Sequence, residues 1–188
     1  MNANGYIIVS GFGQKDLPYC GPACSIGIGG LGIVFVEKSI LESDVVHEKL
    51  KEFIIAHEVV HIARSHIVVY VFTRILCKVG LEAIKENLEE ALESKKIEDF
   101  LLNLFILVLS MSFTARLVEI DAEVVKGQEL EADNIAVKLA GCEGALLFAN
   151  WLRELQRMGY NVSHEAVLGF PALTIEERVS NLLQQCRC

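Results

Sequence analysis

His57-Glu58-Val59-Val60-His61 is the feature that leaves this chain the fewest folds. Two histidines four residues apart on a helix differ by only about 40° around its axis, so both rings leave one face. One turn of rise between them suits two ligands of a tetrahedral zinc ion. Glu58 lies about 100° round from His57, near enough to serve a metal-bound water without competing as a ligand. A carboxylate there takes a proton as the water attacks a carbonyl, while zinc polarises that carbonyl and acidifies the water. The pattern therefore requires a helix at this point and a third ligand from elsewhere.

The helix is predicted to begin after Ser43, a good N-cap, and to run to about His66. Leu50, Phe53, Ile54, His57, Val60 and His61 recur at three- and four-residue steps and mark its buried face.

The third ligand narrows quickly. Arg64 and Ile67 occupy the places where a metzincin carries glycine and histidine. His66 lies about 140° round a continuous helix from His61, so it reads as a partner for the helix-end carbonyls. Glu82 is a candidate, but its neighbours form a charged surface pattern. Glu129 is the better one, because Asp133 follows one turn later, placed to accept a hydrogen bond from the free ring nitrogen of a ligand histidine.

Around this centre the chain reads as α+β: a mainly helical, zincin-like metallopeptidase domain with a small N-terminal β-sheet or hairpin. Ser25–Ile28 and Leu31–Val36 are predicted strands flanking Gly29-Gly30, a turn pair that accepts positive φ. Two apolar runs, Ile67–Val79 and Phe100–Ala115, enclose a charged, helix-prone segment and suggest a helical hairpin over about 67–116. A further helix covers Glu119–Leu139, with Gly141 as its stop, and two more cover 143–158 and 174–185. No repeat or linker interrupts the 188 residues, which read as one domain.

The hydrophobic share is 52%, high enough to suggest a rich core or an apolar surface that meets a membrane or a partner. Neither apolar run reaches the roughly 20 uncharged residues of a spanning helix, so the hairpin is expected to be soluble or to lie on a membrane surface. A net charge of −8 excludes a nucleic-acid partner, which needs a basic face. The first residues lack a signal-peptide pattern, and an intracellular site is expected. The cysteines at 20, 24, 77, 142, 186 and 188 do not match structural-zinc spacing and read as plain thiols.

His57 through His66, followed by Glu129-Leu130-Glu131-Ala132-Asp133, resembles the HtpX and CAAX-prenyl-protease family of gluzincin metallopeptidases. Ser25 to Leu41 resembles that family's hairpin lead-in, and Thr174-Ile175-Glu176-Glu177-Arg178-Val179 its terminal segment. The chain departs from the pattern at Val125 and Lys126, where Ser-Arg is usual, and at Phe170-Pro171, where His-Pro is usual. The resemblance implies a zinc endopeptidase with one Zn2+, ligands His57, His61 and Glu129, Glu58 as base and a peptide or protein substrate. With the usual His missing, His164, Tyr160 or Arg178 is left as transition-state stabiliser. Enzymes of this kind lay an extended substrate beside an edge strand, and chain order assigns that role to Leu31, Gly32, Ile33 and Val34. The alternatives are a zinc-bearing scaffold that binds peptide or membrane without turnover, or an enzyme blocked by its own tail or hairpin.

Overall fold

The computed structural model describes residues 5–13, 22–159, 164–165 and 171–187. Mostly helical with a small sheet, it matches the α+β expectation. Three strands, β1 (Ile7–Phe12), β2 (Ala23–Ile28) and β3 (Leu31–Glu37), form a sheet in the order β1-β3-β2. The β2–β3 hairpin turns at Gly29 and Gly30, at φ 62° and 88°, angles that favour glycine at both positions.

The expectation that Leu31, Gly32, Ile33 and Val34 form an edge is corrected by β1, which pairs parallel with the outer side of β3. That pairing is non-local and leaves no mark in the local pattern. β3 is thus the centre of the sheet and β2 an edge. Gly32 is small for a packing reason: a Cβ there would sit 2.8 Å from Gly27 Cα and 2.9 Å from Ile62 Cδ1. The sheet lies that close to the helix beneath it.

After a short α1 (Lys38–Leu41), that helix is α2 (Glu48–Ala63). It starts four residues later than expected. Ser43 instead accepts from the amides of Val45 and Val46 in the preceding turn, and His47 Nδ1 accepts the cap hydrogen bond from Lys49. Phe53, Ile54 and Ile62 of α2 pack with Val34 and Val36 of the sheet and with Phe148, Ala149 and Leu152. Burial of the larger of these side chains, each contributing about 1.5–3 kcal/mol, fixes α2 against the sheet.

The chain then forms α3 (His66–Glu93) and α4 (Ile97–Arg157). α4 breaks at Gly141, where φ is 83°, so the expected stop is there and a new helical course follows. That course passes so near α2 that a Cβ on Gly144 would lie 2.6 Å from the Lys49 carbonyl. A two-stranded pair, β4 (His164–Glu165) and β5 (Pro171–Leu173), leads into α5 (Ile175–Gln185). Thr174 and Glu177 close a capping box at the start of α5, and Lys126 of α4 pairs with Glu177.

α3 and the first half of α4 form the antiparallel hairpin. Its rungs are Thr73 to Asp121 (2.7 Å), Asn87 to Ser110 (3.1 Å) and Ser94 to Asn103 (3.1 Å), and Gly80 lies against Thr114. This register sets the two apolar runs out of level. Phe100–Ala115 lies beside the α3 turns that bear Glu82, Lys85, Glu86, Glu89 and Glu90. Arg74, which interrupts the first run, faces the buried Asp121 at 3.4 Å. Leu101, Leu102, Phe105, Leu109 and Phe113 of α4 are exposed. By length and composition α4 is apolar enough to cross a membrane, and little of its apolar stretch is buried.

The reading of the cysteines as plain thiols also needs correction. Cys142 and Cys186 form a disulfide joining the second course of α4 to the end of α5, and Cys24 is disulfide-bonded as well. The pairing depends on where α5 docks, not on spacing. Cys77 is a free, buried thiol.

Candidate metal centre

Three elements meet under the sheet: α2 brings His57, Glu58 and His61, α4 brings Glu129 and Asp133, and α5 brings Arg178. His57 and His61 face the same way, with their Nε2 atoms 3.0 Å apart. Glu129 lies 3.3 Å from His57 Nε2 through Oε2 and 3.4 Å from His61 Nε2 through Oε1. All three ligand atoms lie within 4.8 Å of one another, close enough to hold one metal ion. Two imidazole nitrogens and a carboxylate, largely withdrawn from water, are a donor set that suits zinc.

Each histidine is gripped from behind. Asp133 Oδ1 accepts from His57 Nδ1 at 2.9 Å, which leaves the Nε2 edge of the ring turned to the cluster. Asp133 is in turn held by Arg178, whose Nε and Nη2 donate to its two oxygens at 2.7 and 2.9 Å. Arg178 also lies over the Phe148 ring and reaches Glu129 Oε2 at 3.4 Å. The guanidinium of α5 thus locks the carboxylate of α4 that orients the histidine of α2.

The charges follow from this packing. Burial and Arg178 pull His57 down, but its bonds to Asp133 and Glu129 outweigh them and raise it to about 9 in the metal-free protein. Burial, reinforced by the charge of His57, lowers His61 to about 3. Burial also opposes charge on Asp133, yet Arg178 and His57 hold its carboxyl below the usual range. Glu58 is pushed up by burial, with His57 and the Ser25 hydroxyl acting against the shift.

Glu58 does not join the cluster. Its Oε2 accepts a hydrogen bond from Ser25 Oγ at 2.7 Å, from the edge strand β2. Glu82 is exposed on α3 and has no place among the ligand atoms. Tyr160 and the side chain of His164 lie outside the described residues, whereas Arg178 is committed to Asp133. His66 departs most from expectation. The helix does not continue through it: Ser65 adopts a left-handed φ of 55°, and the chain restarts as α3. The break swings His66 back, so its Nδ1 lies 2.9 Å from His61 Nδ1 and its Nε2 3.3 Å from Glu131. Sequence reasoning passed over Ser25 and Glu131, and gave His66 the helix-end carbonyls as partners where the structure gives it His61 and Glu131. His66 lies within the segment that carries the family resemblance, but the left-handed Ser65 that turns its side chain back to His61 follows no spacing rule.

A buried His–His–carboxylate cluster with a neighbouring carboxylate is a donor set that metallohydrolases use. The model of peptidase family M48 matches residues 23–164, and the chain belongs to that family of HtpX- and CAAX-protease-like metallopeptidases. The match includes β2, β3, α2 and the Glu129–Asp133 segment, and ends before α5. No curated protein and no solved structure matches the chain.

Proposed function

We propose that this peptidase is a zinc endopeptidase of zincin-like fold, with His57, His61 and Glu129 as ligands and Glu58 as general base. The meeting of those three donor groups within 4.8 Å, brought from two helices, carries the reading. A zinc ion held by His57, His61 and Glu129 would supply the Lewis acidity that polarises a peptide carbonyl and lowers the pKa of water. Glu58 takes the proton of the attacking water and delivers it to the leaving amine. Ser25 holds the Glu58 carboxylate toward the strand side of the site. β2, as the edge strand beside Glu58, takes over the substrate-pairing role expected of β3: an extended peptide adds to it by backbone hydrogen bonds. Arg178 acts through Asp133, keeping His57 in the tautomer that offers Nε2.

The test is cleavage of an internally quenched peptide blocked at both ends. Wild type loaded with zinc is expected to cut it. Glu58→Gln is expected to lose at least about 100-fold in kcat with its zinc content unchanged. Equal activity in Glu58→Gln would overturn the assignment of the base.

We also infer that the hairpin lies on a membrane surface and does not cross it. A spanning pose would carry the Glu82–Glu93 carboxylates, level with the apolar run of α4, into hydrocarbon, at about 2.5 kcal/mol or more for each charge near the centre. With the protein added outside sealed neutral vesicles, trypsin should cut at Lys85, Lys95 and Lys96 of the bound protein. Protection of these sites until the vesicles are opened would contradict the inference.

A further inference from the structure

We propose that His66 and Glu131 are positioning residues for His61, a second brace beside the Asp133–Arg178 brace on His57; the proposal rests on the ligand assignment above. The hydrogen-bond chain closes in one direction only. For His61 to offer Nε2 to a metal, its Nδ1 must carry the proton and donate it. His66 Nδ1, 2.9 Å away, must then accept, so the proton of His66 resides on Nε2. That N–H points at a carboxylate, Glu131 Oε2 at 3.3 Å. Every group in the line finds a complementary partner, and the tautomer it imposes on His61 is the one the cluster uses.

The backbone supports the same role. Ser65 reverses the chain so that His66 opens α3 as a buried residue facing His61 instead of continuing round α2. Gln128 of α4 donates to the His66 carbonyl at 3.2 Å and fixes its position from the other side. Arg64 lies 3.0 Å from Glu131 Oε1 and keeps that carboxylate in place. One stretch of α4 thereby supplies the carboxylate ligand, Glu129, and the outer anchors of both histidines, Asp133 and Glu131. His66 is not a fourth ligand, because its Nδ1 faces the back of His61 and not the cluster.

The experiment is competition for zinc against a chelating dye at neutral pH, on the full chain, with thermal unfolding of each metal-free variant measured in parallel. His66→Ala is expected to weaken zinc binding by about 10–100-fold, the usual effect of removing such an outer partner. His66→Asn keeps an acceptor near the position of Nδ1 and is expected to recover most of that loss. Glu131→Ala, at a half-exposed site where folding is not at stake, is expected to weaken binding in the same direction and by less. A merely structural role for His66 would shift unfolding without the Asn rescue of affinity. If His66→Ala and Glu131→Ala both bind zinc within about twofold of a zinc-binding wild type, the second brace is wrong and the ligand assignment stands. If wild type itself binds no zinc, the ligand assignment fails and the brace with it.

Discussion

Replacing Arg178 with methionine should unfold the site from the inside. The guanidinium is almost wholly buried and carries both hydrogen bonds to Asp133, which is fully buried. Methionine fills much of the same volume but leaves the Asp133 carboxylate with His57 as its remaining contact on that side. Breaking one partner of a buried pair costs roughly 3–5 kcal/mol. For a chain of this size, that lowers the midpoint of thermal unfolding by roughly 6–20 °C. The measurement is circular-dichroism melting in the presence of a chelator, so that bound metal does not add its own stabilisation. The double variant Arg178→Met/Asp133→Asn should lose less than Arg178→Met alone, because a neutral amide avoids most of the cost of burying an unpaired charge. The pair also has an acid limit. Since the folded state holds Asp133 below its ordinary range, its contribution is full above that range and is lost as pH falls through the lowered value. A loss under about 1 kcal/mol for Arg178→Met, or a double variant no better than the single one, would refute the locking role of α5.

Other outcomes follow from the same geometry. Ser25→Ala should lower kcat about tenfold, the worth of one hydrogen bond to a charged group (about 1.5 kcal/mol), with zinc content unchanged; unaltered kcat would remove Ser25 from the site. Gly144→Val should cost roughly 1–3 kcal/mol in urea unfolding, because its Cβ meets the Lys49 carbonyl at 2.6 Å and backbone there has no room to yield; a neutral effect would mean that α4 and α2 do not cross so closely. In the metal-free protein, nuclear magnetic resonance should find His57 titrating near 9 and His61 near 3. His57 then contributes stability that is full below the ordinary histidine range and lost as pH rises through about 9. His61, lowered, costs stability as pH falls from its ordinary range toward about 3. Two histidines titrating together near 6.5 would contradict the packing.

The parts of this molecule legible from sequence are those set by local periodicity. Two histidines four apart share a face in any helix, and Glu129 and Asp133 share one for the same reason. The turn at Gly29-Gly30 and the break at Gly141 announce themselves because glycine tolerates the angles they need. What escaped depends on distant partners or on a local break. β1 returns to pair with β3, which turns the expected edge into the centre of the sheet. Cys142 meets Cys186 only once α5 has docked. A continuous helix would have pointed His66 away; the left-handed Ser65 returns it to His61. The hairpin shows both sides of this divide. Its two apolar runs were visible, but their relative level is set by inter-helix pairs such as Thr73 with Asp121 and Asn87 with Ser110.

Zinc content, measured by elemental analysis after reconstitution and removal of free metal, tests the centre most directly. One zinc per chain is expected in wild type, with a strong loss in Glu129→Ala and full retention in Glu58→Gln. Full retention in Glu129→Ala, or no zinc in a folded wild type, would contradict the assignment of His57, His61 and Glu129 as a metal site.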